Sequence, residues 1–250
     1  MMEDREAGLL VEAGLYRFFS QLFAAPPPPW LLQDLVTHCL LTTACHFHET
    51  STNPHPLEDP GWASVGEELA VEFTALFSAP GEHYLPPYES FYVDELHLEQ
   101  SEEAGCGTAF AGGTRKGFIG QQSASAVCTL YARAGLELNP AFHDLPDHLA
   151  AELAFLAHLA DCQASALQQG HSELAAHCAR QAEQFRHSHL DRWCPAFLAR
   201  VQANPISRFY CQVAVGLEGF LAGSTASRPR PTAVAELGSG QEGDGQVVRK

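Results

Sequence analysis

Apolar residues recur at intervals of three and four over most of this chain, which is the spacing of amphipathic helices. Helices are predicted over residues 5–24, 30–47, 62–77, 114–136, 146–169, 171–189, 192–203 and 205–221. The pattern over 146–169 is apolar around much of the helix circumference, so we expect this helix at the centre of a bundle. No segment has a convincing strand pattern. The sequence therefore predicts an all-α fold, a single-domain helical bundle.

Prolines and glycines mark the ends of these segments. Pro86 and Pro87 fix two backbone dihedral angles and bias Leu85 away from the helical region, so a rigid extended connector should precede a short helix that starts at Glu89. Residues 105–113 are rich in glycine and predict a mobile loop. Pro205 is expected at the first position of its helix, where the missing amide hydrogen is tolerated.

The chain is long enough to bury a sizeable core. Its 250 residues are 46% hydrophobic, which is typical of a globular protein. We expect one domain over residues 1–223. Residues 224–250 are rich in Ser, Gly, Pro and charged side chains, cannot bury a core, and are expected to be disordered.

The chain is strongly acidic, with 30 acidic against 14 basic residues and a formal charge of −16. Binding to nucleic acid or to an anionic membrane requires clustered Lys and Arg, so both are excluded as general functions, whereas a cationic partner fits. The amino-terminal residues form neither a charged nor a sufficiently apolar signal region, and no apolar run reaches membrane-spanning length. We therefore expect a cytoplasmic protein.

The eight cysteines run from Cys39 to Cys211 without paired short spacing, so we expect reduced and mostly buried thiols. The spacings of a zinc site are absent, and the glycine-rich loop lacks the Lys-Ser/Thr of a phosphate-binding loop. We expect no metal and no bound cofactor, with a small helical metalloenzyme as the distant alternative. Two clusters nevertheless contain metal-ligand residue types: Cys39, Cys45, His46 and His48, and His171, His177 and Cys178.

Two stretches, residues 84–95 and 144–148, are dense in proline, aromatic and ionisable residues. We interpret these two stretches as the working surface of the chain, where carboxylates lie beside aromatic side chains and suit a cationic partner. The predicted carboxylates are Glu89, Asp144 and Asp147. The predicted apolar contacts are Tyr84, Pro86, Pro87 and Tyr88.

Each of these residues also has a structural interpretation. Asp144 at a helix N-cap, with Asp147 three residues later, resembles a capping box. His148 is either a hydrogen-bonding residue of the groove or a half-buried core histidine. Glu152, one turn later, either orients that imidazole or is a solvated helix position. No nucleophile motif accompanies Asp147 and His148, so we do not predict an enzyme.

Three motifs occur in register. They are Glu72-Phe-Thr-Ala-Leu-Phe77, Pro87-Tyr-Glu-Ser-Phe-Tyr92, and Asp144-x-Pro-Asp-His148-x-x-x-Glu152-Leu-x-Phe155-Leu156. With these motifs the chain resembles the TorD/DmsD/NarJ family of molybdoenzyme maturation chaperones over roughly residues 7–221. Asp144 stands where the family more often has Glu, and Leu156 where Met is common. The loop over 96–113 and the tail after Gly223 have no counterpart, which leaves the client enzyme undefined.

The resemblance implies a TorD-like chaperone that binds the amino-terminal leader, often a twin-arginine signal, of a molybdopterin oxidoreductase catalytic subunit. It implicates the segment 86–90 and the pair Asp147-His148 in leader binding. A NarJ-like factor for a client that is not exported is the alternative. Replacing Asp147 and His148 together by Ala is then expected to weaken leader binding and to leave melting nearly unchanged. The predicted peptide-binding residues are Tyr84, Pro86, Pro87, Tyr88, Glu89, Ser90, Asp144, Asp147, His148 and Glu152.

Overall fold

The computed structural model describes residues 2–32, 62–94, 96–98, 113–115, 119–120, 122–226 and 248–249. The α-helices are α1 Met2–Ala24, α2 Trp62–Phe73, α3 Glu89–Val93, α4 Gln122–Arg133, α5 Leu149–Gln168, α6 Ser172–Phe185, α7 Asp191–Gln202 and α8 Arg208–Ala226. Two π-helical turns, Thr74–Ser78 and Arg186–Leu190, follow α2 and α6. The predicted all-α fold is confirmed. Most of the helix predicted over 30–47 lies outside the described residues, as does nearly all of the glycine-rich loop at 105–113.

Helix α5 is the central helix, as its all-round apolar pattern predicts. Leu149, Leu153 and Leu156 are almost completely buried, and both α1 and α6 pack along the helix. The Ser20 hydroxyl of α1 donates a hydrogen bond to the carbonyl oxygen of Ala150 at 2.7 Å. This contact fixes the end of α1 against the start of α5.

Aromatic side chains join the other helices to this centre. Phe23 of α1 packs edge-on against Phe77 and Phe197, with ring centroids 5.6 and 5.7 Å apart. Phe77 also meets Tyr210 of α8 at 5.1 Å. Edge-to-face pairs at these distances add to the free energy gained by burial, so α1, α2, α7 and α8 share one core.

The helix predicted over 114–136 is shorter than expected. Its first residues belong to strand β2 Gly113–Arg115, which pairs antiparallel with β1 Leu96–Leu98, and α4 begins only at Gln122. Val127 and Tyr131 of α4 are buried, whereas Ala126 is exposed. The prediction failed here because a three-residue strand is too short for its alternation to be distinguished from helical spacing.

The start of α8 also differs from the prediction. Pro205 lies in a turn before the helix, and α8 begins at Arg208. The Ser207 hydroxyl oxygen accepts a hydrogen bond from the Tyr210 amide at 3.1 Å, which is the geometry of an N-cap serine. A buried serine therefore starts this helix, and proline does not.

At the carboxyl end, α8 continues past Gly223 to Ala226. Strand β4 Val248–Arg249 pairs antiparallel with β3 Glu137–Leu138. Residues 227–247 lie outside the described residues, so the boundary at 223 and the disorder of the tail stay predictions. None of the described helices combines the length and apolar character needed to cross a membrane.

Candidate functional site

The two motif-bearing segments lie side by side. Tyr88 and His148 form an isolated antiparallel bridge. The Glu89 amide donates to the Asp147 carbonyl at 3.0 Å, and the Leu149 amide donates to the Pro87 carbonyl at 2.9 Å. The extended connector around Pro87 is therefore held by backbone hydrogen bonds to the residues that start α5, and the structure brings both segments into one site.

The Asp147 side chain caps the other segment's helix. Its Oδ2 atom accepts a hydrogen bond from the Ser90 amide at 2.9 Å, in the first turn of α3. The Ser90 hydroxyl oxygen in turn accepts from the Gly120 amide at 3.0 Å. Asp94 caps α4 in the way that Asp147 caps α3. Its carboxylate accepts hydrogen bonds from the amide and the hydroxyl of Ser123 at 2.9 and 2.5 Å.

His148, and not Asp144, is the N-cap of α5. Its Nδ1 atom accepts a hydrogen bond from the Ala150 amide at 3.0 Å, so this nitrogen carries no proton. Burial lowers the pKa of His148 to about 4, and the ring is only 3% exposed. The rings of Tyr88 and Phe142 contact it edge-on at 5.2 and 5.6 Å. The expected capping box of Asp144 and Asp147 is therefore wrong.

Asp144 lies at the surface of the site. Its side chain is 37% exposed, and its Oδ1 atom accepts hydrogen bonds from the Tyr88 hydroxyl at 2.5 Å and the Leu145 amide at 3.0 Å. Oδ2 lies 3.9 Å from His148 Nε2. Burial and the Asp144 carboxylate raise the pKa of both Tyr88 and half-buried Tyr84. Asp144 thus presents a partly exposed carboxylate beside aromatic side chains.

Three carboxyl groups beneath Tyr88 and His148 are completely buried: Glu89, Asp147 and Glu152. Each places one oxygen in a hydrogen bond or ion pair, whereas the other oxygen has no hydrogen-bond partner among the described residues. Glu89 Oε2 lies 2.8 Å from His189 Nδ1, and Glu152 Oε2 accepts from Trp193 Nε1 at 3.2 Å. Glu89 Oε1 lies 3.7 Å from the Arg192 guanidinium.

Burial of Asp147 and Glu152 favours their protonated forms. Desolvation raises the pKa of Asp147, although the hydrogen bonds from Ser90 oppose the shift. Desolvation raises the pKa of Glu152 well above its usual value, and the Glu89 carboxylate adds to the effect. A carboxyl group surrounded by apolar side chains and other acids loses more on ionisation than one in water. The sequence suggested that Glu152 either orients His148 or is solvated. Neither holds, because Glu152 is completely buried and its hydrogen bond is to Trp193.

Sequence reasoning missed His189, Arg192 and Trp193. His189 lies in the π-helical turn before α7, where its ring stacks on Phe185 at 5.1 Å. The residues that it and Trp193 contact lie 100 and 41 positions away in sequence. Spacing along one helix carries no information about such pairs. The only available signal was a cluster of ionisable residues at the junction of two predicted helices.

The predicted site residues thus fall into two layers. Asp144 is exposed and Tyr84 half-buried, which we call the outer layer. The remaining residues form the inner layer, and this differs from the expectation of solvent-facing carboxylates at Glu89 and Asp147. Inner-layer members are Pro86, Pro87, Tyr88, Glu89, Ser90, Asp147, His148 and Glu152.

Among the described residues, no three His, Cys, Asp or Glu side chains are placed to hold a metal ion. His171, His177 and Cys178 are among these residues. The other cluster considered from sequence, Cys39, Cys45, His46 and His48, lies outside the described residues.

Comparison with known proteins relates the chain to two sets of relatives. Residues 55–199 match the family model of the nitrate reductase delta subunit, and both segments of the site lie in this range. The chaperone protein TorD of Vibrio cholerae serotype O1, El Tor Inaba strain, is 30% identical over 133 residues, 53% of this chain and 50% of the relative. TorD of the Classical Ogawa strain is 29% identical over the same length.

The chain spans about half the length of the curated relatives it matches. No solved structure matched it.

Proposed function

The chain belongs to the nitrate reductase delta subunit family, and from this premise we propose that it is a maturation chaperone for the catalytic subunit of a molybdopterin oxidoreductase. Its relatives named as TorD are chaperones. In this proposal the protein binds the leader or the apo form of the subunit, and it has no catalytic role of its own. It holds the subunit until the cofactor is inserted and prevents premature export or assembly.

The observation that carries the proposal is the union of the two motif-bearing segments at Tyr88 and Asp144. The 2.5 Å hydrogen bond between their side chains joins an aromatic ring to a carboxylate that is 37% exposed. An arginine-containing leader needs a negative charge to pair with and an apolar surface beside it. At this junction the exposed Asp144 carboxylate supplies the charge and half-buried Tyr84 supplies the apolar surface, within the residues that match the family.

The outer layer would make the contacts with the leader. Asp144 Oδ1 already accepts two hydrogen bonds, so a leader guanidinium would bind Oδ2 and add to the pairing through charge. Tyr84 is half-buried and near enough to Asp144 for that carboxylate to raise its pKa, and its ring would contact the apolar residues after the arginines. A surface ion pair alone contributes about 1 kcal/mol or less, so most of the affinity must come from the apolar part.

The inner layer would shape the connector without meeting the leader directly. Asp147 and His148 are 0% and 3% exposed, and their polar atoms cap α3 and α5. Glu89 and Glu152 tie the same region to α7 and its preceding turn through His189 and Trp193. A rigid connector keeps Tyr84 and Asp144 at a fixed separation, which reduces the entropy lost on binding.

Release requires that the chaperone bind the immature subunit more tightly than the mature one. A ligand shifts an equilibrium only by its difference in affinity for the two states. Cofactor insertion must therefore remove or alter the bound surface.

The description of the matching family supports a second candidate function. Because the matching family is named for a nitrate reductase subunit, a NarJ-like factor for a client that stays inside the cell is the second candidate. The two candidates differ in the client's leader. A catalytic subunit that starts with a twin-arginine signal supports the export version, and one with a remnant leader supports the other.

The test is maturation of the client. The catalytic subunit is expressed with and without this protein in a host that lacks related chaperones, and its molybdopterin content per subunit is measured. The proposal predicts severalfold lower cofactor content without the protein, restored by the wild-type chain. Equal cofactor loading in both strains, with the protein present and folded, would overturn it.

A further inference from the structure

A pair of thiols lies between α5 and α6, away from the candidate site. Cys162 is in α5 and Cys178 in α6, and their side chains are hydrogen-bonded to each other. Cys162 Sγ also lies 3.2 Å from the Nε2 atom of His158, one turn earlier on α5. His158 and Cys162 lie about two and three turns beyond Glu152 on α5, and Cys178 faces them from α6.

We propose that Cys162 and Cys178 form a peroxide-reactive dithiol, which a hydroperoxide converts into a disulfide that links α5 to α6. Five cysteines are described, and each of them is a free thiol. The proposal does not depend on the proposed function, because none of the site residues takes part.

Three features of the pair assign different roles to the two sulfurs. Cys162 is half-buried and Cys178 is 5% exposed, so a small oxidant reaches Cys162 first. His158 lies within reach of the Cys162 proton, and the thiolate is the reactive form of cysteine. The hydrogen bond with Cys162, followed by burial, raises the pKa of Cys178. Cys178 therefore stays protonated and acts as the resolving thiol, the one that attacks the oxidised Cys162.

The reaction balances with one hydroperoxide. The Cys162 thiolate attacks the terminal peroxide oxygen, the O–O bond breaks, and the departing oxygen takes a proton to leave as water or an alcohol. Cys162 is then a sulfenic acid. The Cys178 sulfur attacks the Cys162 sulfur, an S–S bond forms, and the sulfenic oxygen leaves as water with the Cys178 proton. Two thiols are oxidised, and one peroxide is reduced.

The packing of α5 on α6 makes this pairing selective. The two helices are joined by a short turn containing Gly170, whose φ of +73° is in the left-handed region, so the helices form a hairpin that holds the two hydrogen-bonded thiols side by side. Cys128 is exposed but lies on α4, and Cys194 is buried on α7. The disulfide closes the chain across the α5–α6 turn and should raise the melting midpoint of the oxidised protein.

The experiment uses the full chain, reduced and freed of reductant. The native protein is treated with hydrogen peroxide in stoichiometric amount, alkylated, digested and mapped by mass spectrometry. The expected result is a peptide linked through Cys162 and Cys178, with Cys162 consumed about tenfold faster than exposed Cys128, because His158 lies within reach of the Cys162 proton and can accept it. The oxidised wild type should melt at a higher temperature than the reduced protein.

Conservative variants separate the roles. Cys178→Ser should leave a sulfenic acid at Cys162 that dimedone traps, His158→Gln should slow consumption of Cys162 several-fold, and Cys128→Ser should behave as wild type. Each reduced variant is first shown to melt like the reduced wild type. Loss of Cys162 no faster than that of Cys128, or linkage of Cys162 to any other cysteine, would overturn the proposal.

Discussion

The carboxylate of Asp147 accepts a hydrogen bond from the backbone amide of Ser90, 57 positions earlier in the chain, at 2.9 Å. The carbonyl oxygen of Asp147 accepts the neighbouring amide of Glu89 at 3.0 Å. One residue thus satisfies two of the amide groups that the first turn of α3 leaves without a partner inside the helix. These two hydrogen bonds join the two segments of the site.

Replacing Asp147 by Ala should destabilise the protein. The variant loses the cap and leaves the Ser90 amide buried without a partner, at a cost of about 1–2 kcal/mol. Asp147→Asn should cost less, because an amide oxygen still accepts from Ser90 and the raised pKa of Asp147 shows that its ionised form is disfavoured. Urea unfolding near neutral pH measures both.

This expectation replaces the one drawn from sequence, in which Asp147→Ala with His148→Ala left melting nearly unchanged. Both side chains are buried caps, so the double variant should melt below the wild type. Wild-type unfolding for Asp147→Ala would contradict the role of Asp147 as a cap.

His148 should make the protein less stable in mild acid. Its pKa is about 4 in the folded protein against 6.5 without burial, so the unfolded chain binds a proton more readily. Stability is then lost as pH falls from 6.5 towards 4, by up to about 3 kcal/mol. His148→Asn keeps an acceptor for the Ala150 amide and does not titrate.

Denaturant unfolding of both proteins at several pH values between 4 and 7 checks this prediction. The free energy of unfolding of His148→Asn should fall less on acidification than that of the wild type. Parallel curves for the two proteins would show that the imidazole accepts a proton as easily in the folded protein as in the unfolded chain.

Glu152 should have the opposite pH dependence. Because its pKa is raised well above 4.5 in the folded protein, the folded state holds the proton more tightly than the unfolded chain. The resulting stabilisation is present below pH 4.5 and is lost as pH rises towards the folded pKa. Glu152→Gln, which still accepts from Trp193, should gain stability relative to the wild type between pH 5 and 8.

The same unfolding measurements, extended to pH 8, give this difference, and Glu67→Gln is a suitable control because Glu67 is exposed. A constant difference between Glu152→Gln and wild type across that range would mean that Glu152 is ionised in the folded protein at every pH tested.

Helical spacing predicted most of the fold because it reports which side of each helix is apolar. It correctly placed α5 at the centre. Apolar residues surround most of this helix, and Leu149, Leu153 and Leu156 among them are almost completely buried. It did not predict the short pairing of Leu96–Leu98 with Gly113–Arg115. Three residues are too few to show alternation, and pairing depends on a partner strand elsewhere in the chain.

The neighbourhood of the candidate site could be predicted from the sequence, but its layering could not. The two segments around Tyr88 and His148 stand out by composition, and the structure joins them. Their division into outer and inner layers depends on packing against α7 and the turn before it, which bring Trp193 to Glu152 and His189 to Glu89. No local pattern reveals that a carboxylate will be covered by a helix 41 or 100 positions later.

The most direct test of the leader-binding claim is calorimetric titration with the leader peptide of the client subunit, at low and moderate salt, for wild type and Asp144→Asn. We predict saturable binding that weakens with salt, and a loss of about 1 kcal/mol, roughly fivefold in Kd, in the variant. Unchanged stability in Asp144→Asn serves as the control. Equal affinity of the two proteins, or no binding by folded wild type, would contradict a leader site at Asp144.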